Sequence, residues 1–110
     1  MEFGYESSPL RVMGYVVGAK GATPVRRREI LRSAIEDQWS SGVRRELPED
    51  QLKEWGDPGQ DRYRKIIAKL TSQIENARAT RNKHMLDAIR DWGDDLLWLR
   101  KTFEEDYGSR

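Results

Sequence analysis

Cysteine is absent from this chain of 110 residues. That removes disulfide staples, thiolate nucleophiles and cysteine-based zinc sites, and it points to a reducing compartment. Long apolar runs are missing too. No stretch approaches the roughly 20 apolar residues that a bilayer requires, and the start of the chain lacks a basic region followed by an apolar one. Neither a membrane span nor a secretion signal is expected, and a cytoplasmic location is. No excess of one charge sign exists either, since 20 Lys and Arg face 19 Asp and Glu. Bulk electrostatics therefore give no pull toward nucleic acid and no sign of an acidic DNA mimic, so any charged site must come from local clustering. Apolar residues reach only 36% while charged ones reach 35%, which leaves material for one thin core between amphipathic elements. A single domain over residues 1–110 is expected, with residues 1–9 as a loose lead-in.

What is present reads mainly as helix. Leu10 to Gly18 is rich in β-branched and aromatic residues and bounded by glycine, which predicts a short extended or β segment. Thr23-Pro24 supplies an N-cap and a proline in the first helical position, and Ile30, Leu31, Ala34, Ile35 and Trp39 recur at helical spacing. A first helix over about 24–41 follows, stopped by Ser40-Ser41-Gly42. Leu47, Leu52 and Trp55 mark a short helical turn after Pro48, ended by Gly56. Asp57-Pro58-Gly59-Gln60 then has the form of a capping box with Asp57 as N-cap. Tyr63, Ile66, Ile67, Leu70, Ile74 and Ala77 form one apolar stripe, and Met85, Ala88, Ile89, Trp92, Leu96, Leu99 and Phe103 form another. The fold class is thus mainly α, a long antiparallel helical hairpin plus one N-terminal helix. Residues 78–83 contain no glycine or proline, so two arrangements stand open. Either Asn82 caps a second helix, or one continuous helix finds its partner in another subunit.

Catalytic chemistry has little to work with. His84 shares a helix face with Asp87 and Asp91, but one imidazole is a poor basis for a transition-metal site, and acids are common near a helix start. No serine sits in a strand-turn-helix elbow. No enzyme activity, metal or cofactor is expected. The segment Val17 to Pro24 is different, because a glycine-rich loop holding Lys20 runs into a helix N-terminus, a geometry that suits anions. It does not match a nucleotide P-loop. Arg26, Arg27 and Arg28 follow in the first helical turn, where the dipole disfavours cations, and a local conflict of this kind marks candidate function. They would suit phosphates, or they pair with Glu29, Glu36 or the acids of the last helix. Arg62, Lys65 and Lys69 form a second basic strip at helical spacing, which is either a phosphate track or a solvated face. Of the four tryptophans, Trp39, Trp55 and Trp92 are assigned to the core. Trp98, beside Leu97, lies off the stripe and is either core or a partner anchor.

Gly14-Tyr15-Val16-Val17-Gly18, Arg27-Arg28-x-Ile30-Leu31, Trp55-Gly56-x-Pro58 and Trp92 with Asp95-Leu96 and Trp98-Leu99 together resemble an uncharacterised bacterial helical domain. That domain occurs alone or as a C-terminal appendage on larger proteins, some in DNA processing or defence against mobile elements. The resemblance implies an accessory binding role and supplies no binding residues. The expected function is a non-catalytic module engaging nucleic acid or a nucleoprotein complex through Lys20, Arg26, Arg27, Arg28, Arg62, Lys65 and Lys69. The alternative is a protein-interaction module, such as an accessory subunit or a phage-encoded inhibitor of a defence system, using Leu97 and Trp98. Oligomeric state is not readable from the sequence.

Overall fold

The computed structural model describes residues 9–80 and 83–108, and every structural statement concerns these. Six α-helices follow in order: α1 (Pro9–Val12), α2 (Pro24–Glu36), α3 (Ser41–Arg45), α4 (Glu49–Trp55), α5 (Gln60–Thr80) and α6 (Leu86–Tyr107), with a 3-10 turn over Lys83–Met85 leading into the last. No described helix is long and apolar enough to cross a membrane.

Helices α5 and α6 form the expected antiparallel hairpin. The start of α5 meets the end of α6, where the Tyr63 hydroxyl donates to Glu104 Oε1 at 2.7 Å and Gln60 Nε2 donates to the Gly108 carbonyl at 3.3 Å. The chain therefore doubles back after Thr80 instead of running on as one helix. The proposed cap at Asn82, like Arg81, lies outside the described residues. Helix α2 packs on both arms of the hairpin, α1 packs on α2, and α4 packs on α5. Leu31, Ile35, Ile66, Leu70 and Leu99 are fully buried where α2 meets the hairpin, each contributing about 1.5–3 kcal/mol by leaving water.

Two boundaries differ from the sequence expectation, and in a third segment only the absence of a strand among the described residues can be set against it. Helix α2 begins as predicted, with Thr23 Oγ1 accepting from the Arg26 amide, but it stops at Glu36 and not near 41. Its last carbonyls are taken by other groups: Ala34 accepts from Trp39 Nε1 and Arg62 Nη1, and Ile35 accepts from the Gly59 amide. Those bonds fold Trp39 back onto Trp55, with ring centroids 5.8 Å apart. Ser40, expected as a terminator, caps α3 by accepting from the Val43 amide. The second difference is at Asp57. Gly59 has φ +99°, outside the helical region, so α5 starts only at Gln60, and the side chain of Asp61 reaches back to the Asp57 amide at 3.3 Å.

The third concerns Leu10 to Gly18. Leu10–Val12 lies in the helical turn of α1, and Tyr15–Val17 follows without regular secondary structure, so no strand is present among the described residues. Leu10 and Tyr15 both enter the core. Residues 1–8, which hold most of the expected lead-in and any pairing arm, lie outside the described residues.

Candidate functional site

The glycine-rich loop expected to hold an external anion holds one of the protein's own. Asp91 and Asp95 stand one turn apart on α6. The Gly18 amide donates to Asp91 Oδ2 at 2.9 Å. Gly18 has φ +100°, a backbone shape that glycine adopts without steric cost. Behind the loop, Arg27 is only 2% exposed. Its Nε donates to Asp95 Oδ2 at 2.8 Å, its Nη2 to Asp95 Oδ1 at 3.3 Å, and its Nη1 to the Ala22 carbonyl at 2.9 Å. Asp91 lies 3.6 Å from Nη1, and the Tyr15 hydroxyl donates to Asp95 Oδ2 at 2.7 Å.

Asp95, with no exposed surface, thus accepts a two-pronged guanidinium and a phenol. Burial alone works against the Arg27 cation, but the hydrogen bond and charge of Asp95, with Asp91 behind it, more than offset this and raise its pKa. The Tyr15 phenol is raised as well, first by burial and then by the Asp95 carboxylate. Arg27 is accordingly withdrawn from the set of phosphate ligands, and the dipole conflict at the start of α2 is resolved by two carboxylates of the last helix.

The remaining sequence-predicted cations do not converge. Arg26 makes an exposed ion pair with Glu29. Arg28 lies over the Trp98 ring at 5.8 Å from its centroid, with Arg32 at 5.5 Å. Lys20 is exposed on the loop. Arg62, expected on the basic strip of α5, is only 6% exposed and points inward. It donates to the carbonyls of Gly56 and Ala34 and stacks 3.8 Å from the Trp39 ring centroid. Burial lowers its pKa, against the opposing pull of Asp57 and Asp61. Lys65 pairs with Glu54, and Lys69 is half-buried.

His84, Asp87 and Asp91 are likewise dispersed. Asp87 pairs with Arg90 and Asp91 is engaged by Gly18. Among the described residues no group of three or more such side chains is placed to hold a metal ion.

No protein-family model, curated protein or solved structure matches this chain.

The second protein-interaction candidate fares differently from the first. Trp98 is half-buried, meeting Phe103 edge-on at 5.7 Å between centroids under the two α2 arginines, so it belongs to the α2–α6 contact. Leu97 is 64% exposed and stands at the edge of a shallow groove of about 320 Å³ between α5 and α6. Ile74 and Leu96 line this groove, with Gly93 on one wall and Arg78 and Arg100 among its polar residues. Nothing lies within 4 Å of where a Cβ on Gly93 would project.

Sequence reasoning missed Asp95, Asp91 and Tyr15 as one interior cluster. One signal was available: Asp95 sits three residues after Trp92 and four before Leu99, inside the apolar stripe. For the groove the available signal was Gly93, a helix-interior glycine with no cap or turn to serve.

Proposed function

We propose that this chain is a non-catalytic protein-binding module of the cytoplasm, an accessory subunit or inhibitor in kind, that docks its partner in the groove between α5 and α6. The observation that carries this reading is the exposure of Leu97 beside a wall left bare at Gly93. Val25 and Leu86 are exposed to a similar degree, but of these three side chains only Leu97 lines the groove, beside the partly buried Ile74 and Leu96, where the apolar groups of a partner would cover it. The nucleic-acid reading has lost its central residues, because Arg27 and Arg62 are buried and satisfied within the fold. Lys20, Arg26, Arg28, Lys65 and Lys69, which stay at least partly open to solvent, are divided among a loop, α2 and α5, and Arg26, Arg28 and Lys65 already face Glu29, the Trp98 ring and Glu54.

The test is a photo-crosslinking amino acid placed at position 97 in the native host, compared with the same label at position 20. Protein adducts at 97 that vanish on adding the Gly93→Leu change, which fills the groove, are the expected outcome. Adducts to nucleic acid at position 20, with none at 97, would reverse the reading.

A further inference from the structure

The groove also carries information about what enters it. We infer that its occupant is an amphipathic helix of a partner protein whose apolar stripe is flanked by carboxylates about three turns apart, read by Arg78 and Arg100. This rests on the groove being the docking surface proposed above.

Shape comes first. The two walls are antiparallel helices, and a third helix laid between two others is the common way for such a groove to be filled. Gly93 lies in the middle of α6 with no positive φ and no neighbour that a Cβ would meet. Glycine is a poorer helix former than alanine, and nothing within the described fold gains from its presence there. A bare backbone on the wall allows a second helix to approach closely, and the half-buried Ile74 and Leu96 offer that helix an aliphatic floor. From Gly93 to Arg100 is about 10 Å along the helix axis, which matches a partner presenting apolar side chains at i, i+3 or i+4, and i+7.

Charge narrows the chemistry. Arg78 and Arg100 are exposed, both line the groove, and neither makes an ion pair among the described residues. Among the described residues Glu75 is the one acid that lines the groove with them, and Glu104, a turn beyond Arg100, is held by the Tyr63 hydroxyl. The register set by Tyr63 on Glu104 brings Arg78 level with the turn around Ile89, so Arg78 and Arg100 stem from opposite ends of the groove, about 16 Å apart along the axis of α6. Carboxylates eleven residues apart on an incoming helix would meet one guanidinium each, in the geometry that arginine recognises best. A second copy of this chain suits the groove less well. A two-fold axis through its middle would set Arg78 against the second copy's Arg100, like charge on like.

Three fluorescently labelled synthetic peptides test this against the full chain, at low ionic strength, by anisotropy. All carry the same leucine stripe at helical spacing, and the two flanking positions are Glu, Gln or Lys. The Glu peptide is expected to bind about tenfold tighter than the Gln peptide, a difference of about 1.4 kcal/mol, with the Lys peptide weaker still. Combining Arg78→Gln with Arg100→Gln should erase the Glu preference and leave Gln-peptide affinity unchanged; both side chains are exposed, and circular dichroism checks the fold. Equal binding of the Glu and Gln peptides overturns the inference, as does failure of all three to bind. Leu97→Asp separates the two levels. If it weakens a charge-independent binding, the groove is a docking surface for an occupant of other chemistry; if it leaves peptide binding intact, the docking surface is wrong as well. Self-association by sedimentation that Leu97→Asp abolishes would assign the groove to a second copy and overturn the inference.

Discussion

Arg27 on α2 and Asp95 on α6, 68 residues apart in the chain, meet in the interior with Nε to Oδ2 at 2.8 Å and Nη2 to Oδ1 at 3.3 Å. The pair closes α2 onto the hairpin, and through Tyr15 and Asp91 it also fixes the loop from Tyr15 to Ala22. Removing Arg27 leaves Asp95 buried without a counterion, and removing Asp95 leaves the buried Arg27 with Asp91 alone, 3.6 Å from Nη1. Arg27→Ala or Asp95→Ala is expected to cost about 3–5 kcal/mol, whereas joint replacement by Met and Leu should recover most of that loss. Urea unfolding of Arg27→Ala, Asp95→Ala and the double alanine variant measures the coupling. Additive losses would show that the two side chains act independently.

The flanking arginines should behave otherwise. Arg26→Ala with Arg28→Ala is expected to leave a folded protein, since one side chain is in an exposed ion pair and the other over a partly exposed ring, contacts worth about 0–1 kcal/mol each. Nucleic-acid binding by the wild type should be weak at low ionic strength. A log–log salt slope of several units, at about 0.9 per neutralised phosphate, would restore the nucleic-acid reading.

Trp92 is buried in the stripe of α6 that faces the hairpin core. Trp92→Ala should cost about 3–5 kcal/mol through lost transfer energy and the cavity left behind. A loss under about 1 kcal/mol in denaturant unfolding would mean that the surroundings collapse into the space, and that Trp92 does not anchor the core.

Alkali should unfold the protein in a defined window. Burial first, then the hydrogen bond to Glu104 and its charge, push the Tyr63 phenol from 10.0 up to about 12, and Tyr15 is raised further by burial and Asp95. The fold therefore favours the protonated phenols. Their contribution is intact below pH 10.0 and falls as the pH climbs toward about 12. The tyrosinate absorbance due to Tyr15 and Tyr63, read as the difference from the Tyr15→Phe and Tyr63→Phe variants, should lag behind free tyrosine over that range and then appear together with the loss of helical circular dichroism. Tyr63→Phe should flatten the fall in stability between those limits. Ionisation of Tyr15 and Tyr63 near pH 10.0 with the helices intact would contradict their contacts.

Gly93→Ala should stabilise the isolated domain by about 0.5–1 kcal/mol, because alanine is the better helix former and its Cβ meets open space. The same change should weaken occupancy of the α5–α6 groove. Thermal unfolding together with the peptide titration separates these effects, and a destabilised variant would show that Gly93 serves the fold.

The sequence by itself determined the elements whose causes are local: the start of α2 at Thr23-Pro24, the stop of α4 at Gly56, and the apolar stripes of α5 and α6. The folding of those two helices into one hairpin, open in the sequence, is shown by the contacts of Tyr63 with Glu104 and of Gln60 with Gly108. Periodicity marks which face of a helix avoids water, and capping depends on groups within a few residues, so both are written along the chain. Where α2 ends and which cations are exposed were decided by the tertiary structure. The carbonyls of Ala34 and Ile35 are closed by Trp39, Gly59 and Arg62, and the charge of Arg27 is met by carboxylates from a helix more than sixty residues further on. From the sequence, Arg26, Arg27 and Arg28 are one basic cluster. Successive residues on a helix point about 100° apart, so packing buried the middle one against Asp95 and left its two neighbours outside.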